Sequence, residues 1–125
     1  MQRFEFKCPC CSEIIFSSSH HYERHGILIE GSIITYKDTT IRIRPTEAYI
    51  LAILLAVYPH DASREQMIEA IGNLNYSRGG HPRVDPDFVT GKTFDVQVHR
   101  LRRSISGLKL QINNTNRGYY ALEIL

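Results

Sequence analysis

Long apolar runs, disulfide-forming cysteines and a strong excess of one charge are all scarce in this sequence. The longest apolar run, residues 48–58, is eleven residues long and too short to span a bilayer. The three cysteines lie together at positions 8, 10 and 11, so they cannot form the disulfide framework of a small secreted domain. The N-terminus carries no signal-peptide core. We therefore expect a cytoplasmic protein without a membrane partner.

Residue sets typical of enzymes are scarce as well. No nucleophile–base arrangement, phosphate-binding loop or carboxylate pair occurs at a spacing suited to catalysis, so we expect a protein that is not an enzyme. The 125 residues are 42% hydrophobic and 22% charged. This size and composition are typical of one globular domain with a small appendage.

The charge of the chain is small in sum but uneven in distribution. The formal net charge is only +2. From Lys92 to Arg117, however, there are six Lys or Arg and a single acid, Asp95, which leaves an acidic excess in the remainder. Basic charge concentrated in one segment indicates a nucleic-acid-binding surface.

The first half of the globular part has the pattern of strands. Residues 27–43 are rich in Ile and Thr, with turn signals at Gly31 and at residues 37–38. Ile41 and Ile43 alternate with polar neighbours, which predicts a strand with one buried face. We therefore expect an N-terminal β-hairpin or small sheet.

Three helices and a second hairpin should follow, which gives an α+β fold. The first helix is predicted from a Thr46 cap to about Tyr58, and its apolar residues lie on all sides, as in a helix buried at the centre of a domain. A capping box of Ser63 and Gln66 starts the second helix. The remaining elements are a long loop, a third helix and a closing hairpin, at residues 73–91, 92–106 and 108–125.

The predicted third helix has two different faces. At 3.6 residues per turn, its bulky apolar residues form one stripe that must face the core: Phe94, Val98, Leu101 and Ile105. The opposite side carries Lys92, Val96, His99, Arg100 and Arg103, with Arg102 on the flank. A helix of this width fits the major groove of B-DNA, where arginine pairs with guanine and a valine can touch a thymine methyl. A solvated basic face is the alternative interpretation.

Four stretches, in this order, resemble the winged-helix effector domain of OmpR/PhoB-type response regulators. They are "IRPTEAYILAILL", "ASREQMIEAI", "KTFDVQVHRLRRSI" and "NNTNRGYYAL", and the match covers residues 27–125. The resemblance implies a winged helix-turn-helix: an N-terminal β-sheet on three helices, with a C-terminal hairpin, the wing. It also implies a sequence-specific, double-stranded DNA-binding transcriptional regulator. The third helix would enter the major groove and the wing, at residues 113–119, would reach the minor groove.

The resemblance further implies which residues meet DNA. In the third helix the matching positions are Lys92, Thr93, Val96, His99, Arg100 and Arg102, and Arg103 matches a basic position. In the wing, Thr115 stands where the family has an arginine and Asn116 where it has a glycine. Arg117 is the candidate replacement for that arginine, and Tyr119 matches the tyrosine after the second wing glycine.

Departures from the family pattern bear on partners. No receiver domain precedes the winged helix in this sequence, so we expect no aspartate-phosphorylation switch of the usual kind. The loop at residues 73–91, which contacts RNA polymerase in some family members, is longer here, which makes RNA polymerase a candidate partner. A protein-interaction adaptor that docks on RNA polymerase or another regulator is the alternative function. Domains of this type often bind repeats in pairs, so a homodimer on DNA is also a candidate.

Residues 1–26 are predicted to form a Cys/His-rich head before the winged-helix domain at residues 27–125. Two short strands, "RFEFK" and "EIIF", flank a Cys-Pro-Cys-Cys knuckle. The spacing of the head predicts a structural Zn²⁺ site with four ligands, namely Cys8, Cys11, His21 and His25, and with Cys10 or His20 as substitutes. Metal-free buried cysteines, zinc shared between two chains and a redox thiol are the alternatives.

Overall fold

The computed structural model describes residues 6–10, 13–16, 21–72 and 93–125, which form three antiparallel sheets and three helices. In chain order the elements are β1 (Phe6–Lys7), β2 (Ile14–Phe16), β3 (His21–Arg24), β4 (Ile27–Glu30), β5 (Ile33–Tyr36), β6 (Thr39–Arg42), α1 (Pro45–Val57), β7 (Asp61–Ser63), α2 (Arg64–Gly72), α3 (Phe94–Ile105), a 3₁₀ turn (Ser106–Leu108), β8 (Leu110–Asn116) and β9 (Tyr119–Ile124). The sheets have the strand orders β1-β2, β3-β4-β5-β6 and β7-β9-β8. The predicted α+β order of sheet, three helices and closing hairpin is confirmed.

Helix α1 lies at the centre of the core. Every residue from Thr46 to Val57 is buried, as its apolar composition predicts, and α3, β7 and β9 pack against it. The helix begins at Pro45, and Thr46 lies inside it instead of capping it. Proline suits the first helical position, because the N–H that it lacks would have no hydrogen-bond partner in the helix. Within the described residues, no helix is long and apolar enough to cross a membrane.

The predicted N-terminal hairpin or small sheet is a sheet of four strands. The additional strand β3 pairs with β4 across a turn at His25 and Gly26, both of which have positive φ. Sequence reasoning missed β3 because it buries only one large apolar side chain, Tyr22. The predicted boundary after residue 26 therefore falls at the turn of a hairpin.

The predicted N-terminal strands are present as the pair β1–β2. The Glu13 carboxylate, next to β2, accepts hydrogen bonds from the Arg24 guanidinium and, at 3.3 Å, from the Tyr22 hydroxyl of β3. The Phe6 ring packs edge-on against Tyr49 of α1, with ring centroids 5.0 Å apart. These contacts attach β1 and β2 to the same core as the helices.

A third sheet joins α2 to the wing. Strand β7, which the sequence analysis missed, pairs with β9. The predicted capping box is confirmed: the Gln66 N–H donates to Ser63 Oγ at 3.0 Å, and the Ser63 N–H donates to Gln66 Oε1 at 3.4 Å. The next backbone N–H, of Arg64, donates to the Gly118 carbonyl in the wing turn at 2.8 Å. The start of α2 is therefore held against the wing.

Substitution of the capping serine should measurably weaken the fold. We expect Ser63→Ala to lower the free energy of unfolding by about 1 kcal/mol, because an N-terminal N–H of α2 loses its acceptor. Urea unfolding followed by circular dichroism measures the effect. The control is Ser104→Ala, at an exposed serine in α3. Equal losses in both variants would contradict a capping role.

Candidate nucleic-acid interface

The two predicted faces of α3 are confirmed by burial. Phe94, Val98, Leu101 and Ile105 are each at most 2% exposed and pack into the core. The side chain of Val96 is 49% exposed on the opposite side, beside His99, Arg100 and Arg103, which are all exposed. Lys92, predicted to belong to this surface, lies outside the described residues. The outer face of α3 is therefore a basic surface with one aliphatic side chain in it.

One flank of α3 is bonded to the wing. Arg102 Nε donates to the Ile112 carbonyl of β8 at 2.9 Å, and its guanidinium also donates to the Asn114 side chain. Asp95, in the first turn of α3, accepts a hydrogen bond from the Tyr120 hydroxyl at 3.2 Å. Burial raises the pKa of Tyr120 and the neighbouring Asp95 carboxylate adds to the effect, so the phenol stays a donor. These bonds set the distance between helix and wing.

The wing turn is shorter than predicted. Strand β8 continues to Asn116, which pairs with Tyr119, so within the predicted wing at residues 113–119 the turn takes up only Arg117–Gly118. Gly118 has a φ of 76°, a conformation that favours glycine. Arg117 is exposed at the tip, and Tyr119 beside it is 42% exposed. A cation and an aromatic ring therefore project from the end of the wing.

Thr115 lies where the ladder of the wing shifts register. Asn114 and Asn116 pair with consecutive residues of β9, so Thr115 is the extra residue of a β-bulge. Its hydroxyl donates to the Asp61 carboxylate of β7 at 2.7 Å. In this structure Thr115 thus connects the bulge of β8 to β7, the opposite edge strand of the same sheet.

The other flank of α3 faces β6 and the start of α1. A groove of about 590 Å³, which we call the arginine groove, is lined by Arg42, Ile43, Arg44, Glu47, Arg100, Arg103 and Ser104. A second groove of about 550 Å³ shares Arg44 and Arg100 with it and extends along α3 to Thr93, Val96 and Gln97. Sequence analysis missed Arg42 and Arg44 because a charge count along the chain assigns them to its acidic remainder.

Glu47 is the acid of the arginine groove. Glu47 is only 2% exposed, and its Oε2 has no hydrogen-bond partner among the described residues. Burial raises the pKa of Glu47, whereas the Arg44 backbone N–H and the guanidinium groups of Arg44 and Arg100 lower it by less. The carboxyl group therefore keeps its proton to a higher pH than an exposed glutamate would.

The predicted zinc ligands are only partly described. Cys8 is buried, His21 is exposed on β3 and His25 occupies the turn before β4. The ligand Cys11 and the substitute His20 lie outside the described residues. Among the described residues, no group of three or more His, Cys, Asp or Glu side chains is placed to hold a metal ion. The zinc site stays a prediction.

A solved structure similar to this chain is the C-terminal domain of the nisin resistance regulator NsrR, a lantibiotic response regulator. The TM-score is 0.57 at 21% sequence identity, and the match covers 79% of this chain and 93% of that one. The fold is that of a winged-helix effector domain. The predicted resemblance is thus confirmed at the level of the fold. No family model and no curated protein sequence matches the chain.

The buried carboxyl group predicts a specific pH dependence of stability. The folded state holds the Glu47 proton more tightly than the unfolded chain, whose ordinary pKa is 4.5. The free energy of unfolding should therefore fall as the pH rises from that value through the raised pKa of the folded state. We expect the free energy of unfolding of Glu47→Gln not to fall in this way, so the variant should become more stable than wild type as the pH rises. Urea unfolding across this pH range tests it, with Glu69→Gln, exposed on α2, as the control. Parallel pH profiles of wild type and Glu47→Gln would contradict the prediction.

The predicted zinc site can be tested by measuring the zinc content of the protein. If the four predicted ligands converge, native mass spectrometry should find one zinc per chain and none in Cys8→Ser. Cys10→Ser is the matched control, because Cys10 is only a substitute ligand. If the wild-type chain, purified without a metal chelator, carries no zinc, the zinc prediction is wrong and metal-free buried cysteines are the remaining interpretation.

Proposed function

We propose that this protein is a sequence-specific, double-stranded DNA-binding transcriptional regulator that places α3 in the major groove and the wing at the minor groove. The observation that carries the proposal is the division of α3 into a fully buried apolar stripe and an exposed basic face. The winged-helix fold supports it, because it presents one helix and one hairpin on the same side of the molecule.

The outer face of α3 has the chemistry of base recognition. A helix is narrow enough for the roughly 12 Å wide major groove, and the twelve residues of α3 follow it for about 18 Å. Arg100 is the candidate for a bidentate bond to guanine, and the exposed methyl groups of Val96 suit a thymine methyl. Thr93, His99 and Arg103 complete the proposed surface, together with Lys92.

The wing supplies the second proposed contact. Arg117 at its tip is an exposed cation, which suits the negative potential of a narrow minor groove. Arg102 and Asp95 hold the wing to α3, so the spacing between the two contacts is set before DNA binds. Such preorganisation lowers the entropic cost of binding.

Arg100 should determine sequence preference. We expect Arg100→Ala to cost about 1–3 kcal/mol on the preferred site and to relax the preference at one base pair, because a bidentate contact is lost. Site selection from random duplexes identifies the preferred site and any repeat bound by a homodimer, and a shift assay at fixed salt measures the affinity. Lys37→Gln, an exposed basic side chain in the β5–β6 turn, is the control. An unchanged selected site for Arg100→Ala would contradict this role.

Arg102 should act on affinity without changing preference. We expect Arg102→Ala to weaken binding to all duplexes by a similar factor, because the variant loses both a cation and the bonds that position the wing. The selected site should stay that of wild type. If Arg100→Ala and Arg102→Ala both bind like wild type, the proposed DNA-facing surface is wrong.

A protein-interaction adaptor is the competing function. The feature that favours it is the wing, where Thr115 is bonded to Asp61 instead of presenting a cation. The loop at residues 73–91, the proposed contact for RNA polymerase, lies outside the described residues. Binding to RNA polymerase without affinity for any duplex at low salt would favour the adaptor over the DNA reader.

A further inference from the structure

The arginine groove contains two arginines, Arg42 and Arg44, that neither the major-groove contact nor the wing accounts for. We propose that this groove binds a backbone phosphate of the DNA, on the side of α3 away from the wing. The inference rests on the proposed function, because the same duplex would occupy α3 and the groove. It adds Arg42 and Arg44 to the DNA-binding residues.

Four arginines from three parts of the chain line the groove. Arg42 ends β6, Arg44 precedes α1, and Arg100 and Arg103 come from successive turns of α3. All four side chains are exposed. Convergence of like charges is unfavourable unless an anion lies between them, and phosphate oxygens are good acceptors for guanidinium N–H groups.

The arginine side chains of the groove have few ion-pair or hydrogen-bond partners among the described residues. In the part of the chain that the structure describes, Arg42, Arg100 and Arg103 form no ion pair or hydrogen bond through their side chains. Arg44 has one ion pair, in which its Nε lies 3.9 Å from Glu47 Oε2 while its side chain stays 68% exposed. Among the described residues that line the groove there are four arginines and one acid, so these residues carry a net positive charge whether or not Glu47 is ionised.

Two residues with buried polar atoms line the groove and its neighbour. Glu47 lines the arginine groove, and Gln97 lines the adjoining groove that shares Arg44 and Arg100. Both residues are at least nine-tenths buried, and both atoms lack a hydrogen-bond partner among the described residues. Both atoms are hydrogen-bond acceptors, so they require donors such as water or a neighbouring guanidinium group and would not bind the phosphate directly.

The position of the groove identifies the source of the phosphate as DNA. Arg102 faces the wing, whereas Arg100 faces the groove, so the two lie on opposite flanks of α3. A helix in the major groove has a phosphate backbone on each flank. One backbone would lie toward the wing and the other toward Arg42 and Arg44. The N-terminus of α1 adds positive potential at this second flank.

The test is the salt dependence of DNA binding by a variant in which both Arg42 and Arg44 are replaced by Gln. Each lost phosphate contact should make the slope of log K against log salt shallower by about 0.9, so we expect a change of about one to two. Low-salt affinity should fall about three- to tenfold on the preferred duplex and on a scrambled one, with an unchanged selected site. Arg42→Lys combined with Arg44→Lys should keep the slope, and Lys37→Gln is the control for the loss of charge elsewhere.

The outcomes separate this inference from the proposed function. If wild type binds the duplex and the glutamine variant keeps its full slope, the groove is not a phosphate site and the DNA-binding proposal stands. If wild type binds no duplex, both fail. Titration of inorganic phosphate, followed by NMR of the arginine side chains, covers the other source. Saturation of the groove by free phosphate with no loss of duplex affinity in the glutamine variant would overturn the assignment to DNA.

Discussion

The complete burial of α1 is the constraint on which the rest of the structure depends. A helix with apolar side chains on every side has no face to offer water, so it must be surrounded by other elements. Strands β7 and β9 cover part of it and α3 covers another. Because α3 uses its Phe94–Ile105 stripe for this contact, its remaining face points away from the core. The exposed basic surface is thus a consequence of how the core is closed.

The two flanks of α3 are held by different interactions. On the wing side, Arg102 and Asp95 form hydrogen bonds to β8 and to Tyr120, which orient two elements relative to each other. On the α1 side the contact is apolar packing, and two buried oxygens, Glu47 Oε2 and Gln97 Oε1, have no hydrogen-bond partner among the described residues. The wing-side flank of α3 thus has a fixed geometry, whereas the α1-side flank has open grooves lined by polar residues.

Features that depend on neighbours in sequence could be predicted, and features that depend on distant pairing could not. The burial of α1, the Ser63–Gln66 capping box and the stripe of α3 each follow from spacing within a few turns. Strand β7 has no apolar alternation of its own and exists through its pairing with β9. The bond between Thr115 and Asp61 joins residues 54 positions apart, which no local pattern encodes. The arginine groove is non-local in the same way, because Arg42 and Arg100 meet only in the folded chain.

The distribution of charge in space explains how a chain with a net charge of +2 presents a surface suited to a polyanion. Binding to phosphate depends on the local potential, which falls off over about 10 Å at ordinary salt, and not on the sum over the chain. The fold brings Arg42 and Arg44 to the same groove as Arg100, and it places Arg117 at the exposed wing turn, while Thr115 lies in the bulge. The acid among these groups, Glu47, is buried beneath them. Cations therefore lie on both sides of the outer face of α3, which is the arrangement that two DNA backbones flanking one groove require.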